Sequence, residues 1–322
     1  MKIIKCLGLE STAHTFAASV VDSKKMIYTD VRDMYTTEKG GMIPTEVAKH
    51  HLKVKDIIIE KALDNHKIDL VAYSRGPGLA PSLKIGRDKA VEVAKELNIP
   101  IVGVNHPVGH LSSGLFWSQA KNPVFVFVSG ANTQIISKEG NRFRIFGETL
   151  DIGIGNALDK FGRLTSIGFP AGPKMEQLAK EGSYIELPYS VKGMDLSFSG
   201  IVTAAFNYHK KGESIKDLCF SLQETMFAML TEVTERALAY TNKKEVVIIG
   251  GVAANKRLSN MLDSMCKDRS TKFYSVPINY AGDNATFIAW QGILERKNSN
   301  KNYGKTEIYP YERIDEIEIN WP

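Results

Sequence analysis

The sequence predicts an α/β protein built as two similar lobes with a nucleotide cleft between them. Three observations carry this. The chain opens on three short strand patterns that lead into alternating helix and strand patterns; the same order of elements restarts after Pro123; and glycine- or hydroxyl-bearing turns fall at strand ends in both halves. At 322 residues, 43% hydrophobic and 24% charged, the chain is long enough for two packed lobes. We place the first lobe at residues 1–121 and the second at 122–295, with the tail from about 296 to 322 returning to the first.

In order, residues 3–10, 16–22 and 26–34 alternate apolar and polar side chains between polar turns, which predicts a hairpin-linked meander. Helical periodicity follows over 45–64, a strand at 69–74, a helix over 82–97 and a strand at 101–104. Pro107 suits the first position of a helix, where its missing N–H costs nothing, so His106 is expected at the cap and His110 one turn later. The second half repeats the pattern. Strands are expected at 124–129, 133–138 and 143–150, helical segments between Asn156 and Lys180, and helices at 199–209 and 215–240. A strand at 245–249 and a helix from Ala253 complete it, and Lys192–Gly200 reads as a lid or a long connector.

Three turns suit a nucleotide: Leu9-Glu-Ser-Thr12, Ser129-Gly-Ala-Asn-Thr133 and Ile249-Gly-Gly-Val-Ala-Ala-Asn255. Glycine lets backbone amides approach a phosphate, hydroxyls donate to anionic oxygens, and a helix N-terminus favours negative charge. Taken singly each is an ordinary tight connection; their places at strand ends in both halves give them weight. His106 and His110 have the spacing to face one ion, and Asp283 in Gly282-Asp-Asn-Ala285 is the candidate carboxylate partner. Two histidines four apart are also a common surface pair, so the metal reading rests on the rest of the chain.

The balance of 41 basic against 36 acidic residues is too mild to hold a long nucleic acid unaided, so bound RNA implies partner subunits. The basic runs 49–55, 84–89 and 267–272 read as solvated helix faces. Cys6, Cys219 and Cys266 are odd in number and widely spaced, which predicts buried thiols in a reducing, cytoplasmic setting, and no apolar run approaches membrane-spanning length. His14, His50, His51, His66 and His209 are read as structural, with His50 and His51 available to RNA.

Nearly the whole chain resembles the catalytic subunits of tRNA N6-adenosine threonylcarbamoyltransferases, in the archaeal and eukaryotic branch that belongs to the KEOPS complex. The resemblance lies in Leu7-Gly-Leu-Glu-Ser-Thr-Ala-His-Thr15, Ser74-Arg-Gly-Pro-Gly-Leu79, Asn105-His-Pro-Val-Gly-His110, Gly147-Glu-Thr-Leu-Asp151 and Asn156-Ala-Leu-Asp-Lys-Phe161. It continues through Gly172-Pro-Lys174, Lys192-Gly-Met-Asp-Leu-Ser-Phe-Ser-Gly200, Gly250-Gly-Val-Ala-Ala-Asn255, Gly282-Asp-Asn-Ala285 and Arg313-Ile-Asp-Glu-Ile-Glu318. It implies the actin, sugar kinase and Hsp70 type of fold. It also implies transfer of threonylcarbamoyl from threonylcarbamoyl-AMP to N6 of adenosine 37 in tRNAs reading ANN codons.

By the same resemblance the metal ligands fall on His106, His110 and Asp283, the ion being iron, with zinc or magnesium as alternatives. Nucleotide contacts fall on Phe127, Val128, Ser129, Gly130 and Ala131 and on Asp159, Gly172, Glu176 and Asn255. In the mechanism this implies, Ser129, Gly130 and Asn132 hold the donor, Asp159 and Glu176 meet the ribose, and Gly250, Gly251 and Asn255 line the adenine end. Glu10 either takes the N6 proton, holds a metal-bound water, or caps its loop. The chain departs from the family at Phe127, usually Tyr, and at Ala131, usually Gly; the second is mild if residue 131 has negative φ. Expected partners are tRNA and the other KEOPS subunits, including a small protein kinase as a separate chain, and no membrane. The rivals are an ATP-dependent phosphotransferase of the same fold, a metallopeptidase, and a nucleotide-binding scaffold; the absence of a His-Glu-x-x-His helix weighs against the peptidase.

Overall fold

A computed structural model describes residues 2–37 and 43–321. The chain divides into two units, Met1–Phe116 with Asp283–Pro322, and Trp117–Gly282. In the first, β1 (Lys5–Glu10), β2 (Thr15–Asp22) and β3 (Ile27–Met34) form the expected antiparallel meander. Then come α1 (Pro44–Leu63), β4 (Leu70–Gly76), α2 (Ala80–Glu96), β5 (Ile101–Asn105) and α3 (His106–Trp117). The sheet order is β3-β2-β1-β4-β5, with β4 parallel to both β1 and β5. Leu7, Leu9, Val71 and Tyr73 pack against Ile58, Ile59, Ala90 and Val93, so α1 and α2 cover one face of the sheet.

The second unit repeats this plan. A meander of β6 (Val124–Val128), β7 (Thr133–Glu139) and β8 (Arg142–Glu148) leads to α4 (Ile154–Leu164) and α5 (Ala171–Ala179). Next are the two-residue strands β9 (Val191–Lys192) and β10 (Asp195–Leu196), then α6 (Ser199–Lys210), α7 (Ile215–Thr241) and β11 (Glu245–Ile249). Finally come α8 (Lys256–Asp268), β12 (Lys272–Ser275) and α9 (Ile278–Ala281). The order β12-β11-β6-β7-β8 is that of the first sheet: a three-strand meander extended by two parallel strands. β6 sends Val124, Val126 and Val128 into a core closed by α4 to α8 through residues such as Phe161, Met175, Phe198 and Phe227.

After the second unit the chain forms α10 (Thr286–Leu294). The division expected from sequence and the observed one differ here, since residues 283–295 join the first unit and 117–121 the second. The reason is packing. α10 lies on the sheet face opposite α1 and α2, so close that a Cβ on Gly8 would sit 2.3 Å from Ala289 N, and one on Gly292 would sit 2.4 Å from Ala72 Cβ. Two local expectations also change. Asn105 rather than His106 caps α3, its Oδ1 accepting from Val108 N at 3.0 Å, with Pro107 one place further in. The helix expected from Ala253 is a short 3-10 turn at Gly251–Ala254, and α8 begins only after Asn255, whose side chain accepts from Leu258 N.

Candidate metal centre and nucleotide pocket

α3 carries His106 and His110 one turn apart, with ring centroids 4.7 Å from each other. Facing them, the start of α10 brings in Asp283 just before it and Phe287 on its first turn. Phe287 lies against the His110 ring at 4.3 Å between centroids, and a Cβ on Gly109 would come 2.6 Å from Phe287 Cδ2, so glycine between the histidines permits this approach. Asp283 Oδ1 is 3.2 Å from His110 Nε2 and 3.5 Å from His106 Nε2. An ion with ligand bonds of about 2.0–2.2 Å sets neighbouring donors roughly 3.0–3.4 Å apart, so these two imidazoles and the carboxylate fit one divalent cation with positions left open. His106 and His110 are buried and Asp283 is partly so.

Burial drives the His106 imidazole down, but the charge and hydrogen bond of Glu10, and the charge of Asp283, outweigh it and hold the ring up to about 9. His110 falls below its ordinary value through burial, aided by the charge of His106 and opposed by Asp283. Burial alone would raise Asp283, yet the His110 hydrogen bond and the charges of His106, His110 and His14 keep it well below the usual carboxylate range. The pocket is thus held together by opposite charge. A cation bound here would take the place of a proton.

The turn after β1 supports this centre. Glu10 is fully buried; its Oε2 lies 2.9 Å from His106 Nδ1, and its Oε1 accepts from Thr12 N at 2.6 Å and Thr12 Oγ1 at 2.5 Å. The sequence placed Thr12 in a nucleotide-type turn and read His14 as structural; the structure sets Thr12 on Glu10 and His14 near Asp283. His14 Nδ1 is 4.0 Å from Asp283 Oδ2. His51, by contrast, is fully buried and offers RNA nothing, while His50 is tied to Asp33 at 2.7 Å. The three cysteines are buried, as expected. Behind α3, Glu312 accepts from Arg75 through both oxygens and from Asn105 Nδ2 at 3.0 Å, bracing the residue that caps the histidine helix.

The second unit holds a separate cavity of about 290 Å³. Six of the expected nucleotide positions line it: Gly130, Asp159, Gly172, Glu176, Gly251 and Asn255. Apolar walls that the sequence did not single out come from Leu158, Pro173, Val252 and Ile278. Asp159 Oδ1 accepts from Ala171 N at 2.8 Å and Glu176 Oε1 from Lys256 N at 2.9 Å, so each carboxylate ties two helices together at the rim. Burial pushes Asp159 above the ordinary carboxylate value. Asn255 Nδ2 donates to Gln223 Oε1 at 2.8 Å.

The remaining expected positions do not line this cavity. Ser129 and Asn132 close the β6–β7 turn through Asn132 N donating to Ser129 Oγ at 3.0 Å, and Gly250 backs onto Val128 O. Phe127 is a buried strand residue. Ala131 is exposed and its φ lies outside the left-handed region, so its methyl is accommodated without strain.

A family model described as TsaD, tRNA N6-adenosine threonylcarbamoyltransferase, matches residues 26–290. The chain belongs to this family. The tRNA N6-adenosine threonylcarbamoyltransferase of Archaeoglobus fulgidus is 48% identical over 320 residues, covering 98% of this chain and 99% of that protein. That of Methanocella arvoryzae is 48% identical over 324 residues, covering all of both. The probable bifunctional tRNA threonylcarbamoyladenosine biosynthesis protein of Methanocaldococcus jannaschii is 45% identical over 98% of this chain, which spans 60% of that protein's length. The family model and these full-length relatives carry the names of transferases.

Among solved structures, HypF of T. kodakarensis aligns over 90% of this chain and 47% of its own, with a TM-score of 0.64 at 14% identity. A ROK family glucokinase from Streptomyces griseus aligns over 89% and 98%, with a TM-score of 0.52 at 13% identity. These likenesses show the fold alone, that of the actin, sugar kinase and Hsp70 group. Among the described residues no helix is long and apolar enough to cross a membrane.

Proposed function

We propose that this family member transfers the threonylcarbamoyl group of threonylcarbamoyl-AMP to N6 of adenosine 37 in tRNAs reading ANN codons. The observation that carries the reading is the convergence of His106, His110 and Asp283, whose ligand atoms lie within 4.8 Å of one another, two of the three residues being buried. Two imidazoles and one carboxylate are the donor set of open iron(II) sites, and we take iron as the ion, with zinc or magnesium as alternatives. When bound, the ion would polarise the donor's oxygens and stabilise charge that develops on them, a contribution of several kcal/mol.

The chain's own residues then bind and align. Adenine N6 is a poor nucleophile because its lone pair is delocalised into the ring, so placement of donor and acceptor counts for much of the rate. Asp159 and Glu176 present carboxylates at the cavity rim for ribose hydroxyls, while Gly130, Gly172 and Gly251 leave room for close approach of the adenylate. Leu158, Pro173, Val252 and Ile278 supply apolar surface for the base. The tRNA surface is shared with the other KEOPS subunits, a small protein kinase among them. The relatives named bifunctional, which are longer than this chain, support such a partner.

The test combines this protein, its partners, a threonylcarbamoyl-AMP generating system and unmodified tRNA, with nucleosides read by mass spectrometry. The wild type should yield threonylcarbamoyladenosine. Asp283→Ala and His110→Ala should each lower bound metal and abolish the product while keeping a cooperative thermal transition. Full activity in either variant ends the metal-centred scheme.

A further inference from the structure

We infer that Glu10 is a positioning residue for the metal ligand His106 and takes no proton from the substrate. The inference rests on the metal reading above. A histidine can present Nε2 to an ion only if that nitrogen keeps its lone pair, which requires the ring's proton to sit on Nδ1 and to be held there. Glu10 Oε2 stands 2.9 Å from His106 Nδ1, on the side of the ring away from Asp283, and Nε2 faces Asp283 Oδ1 at 3.5 Å. The ring therefore bridges two carboxylates, one that orients it and one that shares the ion.

The other oxygen of Glu10 is equally committed. Oε1 accepts from both the amide and the hydroxyl of Thr12, and Thr12 Oγ1 also lies 3.4 Å from His106 Nδ1. With 0% of its surface exposed, the carboxylate is out of reach of an incoming adenine. A proton acceptor for the reaction must come within hydrogen-bond distance of the group it deprotonates, so this enclosure argues against that role. Thr12 is itself fixed, since its carbonyl accepts from Leu79 N at 2.8 Å and Gly78 packs so near that a Cβ there would fall 2.5 Å from Thr12 O. The loop between β4 and α2 thus sets Thr12, Thr12 sets Glu10, and Glu10 sets the ligand.

The experiment titrates cobalt(II) or zinc(II) into chelator-stripped full-length protein by calorimetry, and measures tRNA modification at rising metal concentration. Glu10→Ala should weaken metal binding by about ten- to a hundredfold. Glu10→Gln keeps one acceptor oxygen for two sets of donors and should fall between Glu10→Ala and the wild type, with activity restored when the ion is saturating. Thr12→Val should weaken binding only a few-fold, since the Thr12 amide still donates. Wild-type metal affinity in Glu10→Gln together with lost turnover at saturating ion would overturn the inference and assign the proton to Glu10. Wild-type affinity in Glu10→Ala would also overturn it, while loss of binding in Asp283→Ala shows the metal reading itself intact. A wild type that binds no ion overturns both. If Glu10→Ala does not fold, Glu10→Gln and Thr12→Val carry the same comparison.

Discussion

His51 shows how one side chain makes stability depend on pH without touching the reaction. It is fully buried in α1, its Nδ1 3.2 Å from His50 Nδ1, and burial together with the charge of His50 pushes its pKa down to about 4. Below pH 6.5 the unfolded chain takes up a proton here that the folded chain refuses until about pH 4, so stability falls as pH falls across that window. In chelator-stripped protein His51 should contribute a loss on the order of 2 kcal/mol between pH 7 and pH 5, and His51→Gln should remove that part of the slope in urea titrations. A slope unchanged by the substitution would place the titrating group elsewhere. Residues differ in how openly the sequence announces them. His106 and His110 are legible because four-residue spacing is itself a geometric statement on a helix. Asp283 is less so, for nothing local distinguishes it from any Gly-Asp turn; it stands as a candidate carboxylate partner, and the family resemblance adds weight. His14 meets Asp283, and Glu10 with Thr12 meets His106, only when β1, α3 and α10 come together, which no spacing along the chain encodes.

Among elements, the meanders and the helices covering them were readable because alternation and the 3.6-residue period mark one buried face. α10 has no such face: seven of its nine residues are buried, so its pattern is apolar all round and carries no period. β12 is four residues long and only partly buried, too short to rise above its surroundings. The turn between β11 and α8 was legible through its glycines, and the structure says why the first is needed. Gly250 has φ +94°, and a Cβ there would lie 2.2 Å from Val128 O. Gly250→Ala is therefore expected to cost about 2 kcal/mol or more and to shift β11 away from β6. Thermal denaturation checks this, and an unchanged midpoint would mean the turn relaxes freely. The basic runs prove to be paired helix faces, with Lys49 on Glu46, Lys89 on Asp56 and Glu92, and Lys267 on Asp263.

For the whole molecule, order of elements foretold the class of fold well because each half needs the same set of parts to bury one sheet. It also foretold that the first unit is made from two separated stretches of chain, but set the return near residue 296 rather than at Asp283. That discontinuity bears on the metal centre. The polypeptide departs the first unit after Phe116, at the end of the helix that bears both histidines, and comes back at Asp283. His110 and Asp283 are 173 positions apart in sequence, so a cation bound by both acts as a detachable clasp across the outgoing and incoming strands of the polymer. Stripping the ion should speed amide hydrogen exchange in residues 108–117 and 284–290 more than in β1 or β4, with mass-resolved exchange as the readout. Equal protection with and without metal would mean that folding alone fastens those two passages, and that the cation serves chemistry only.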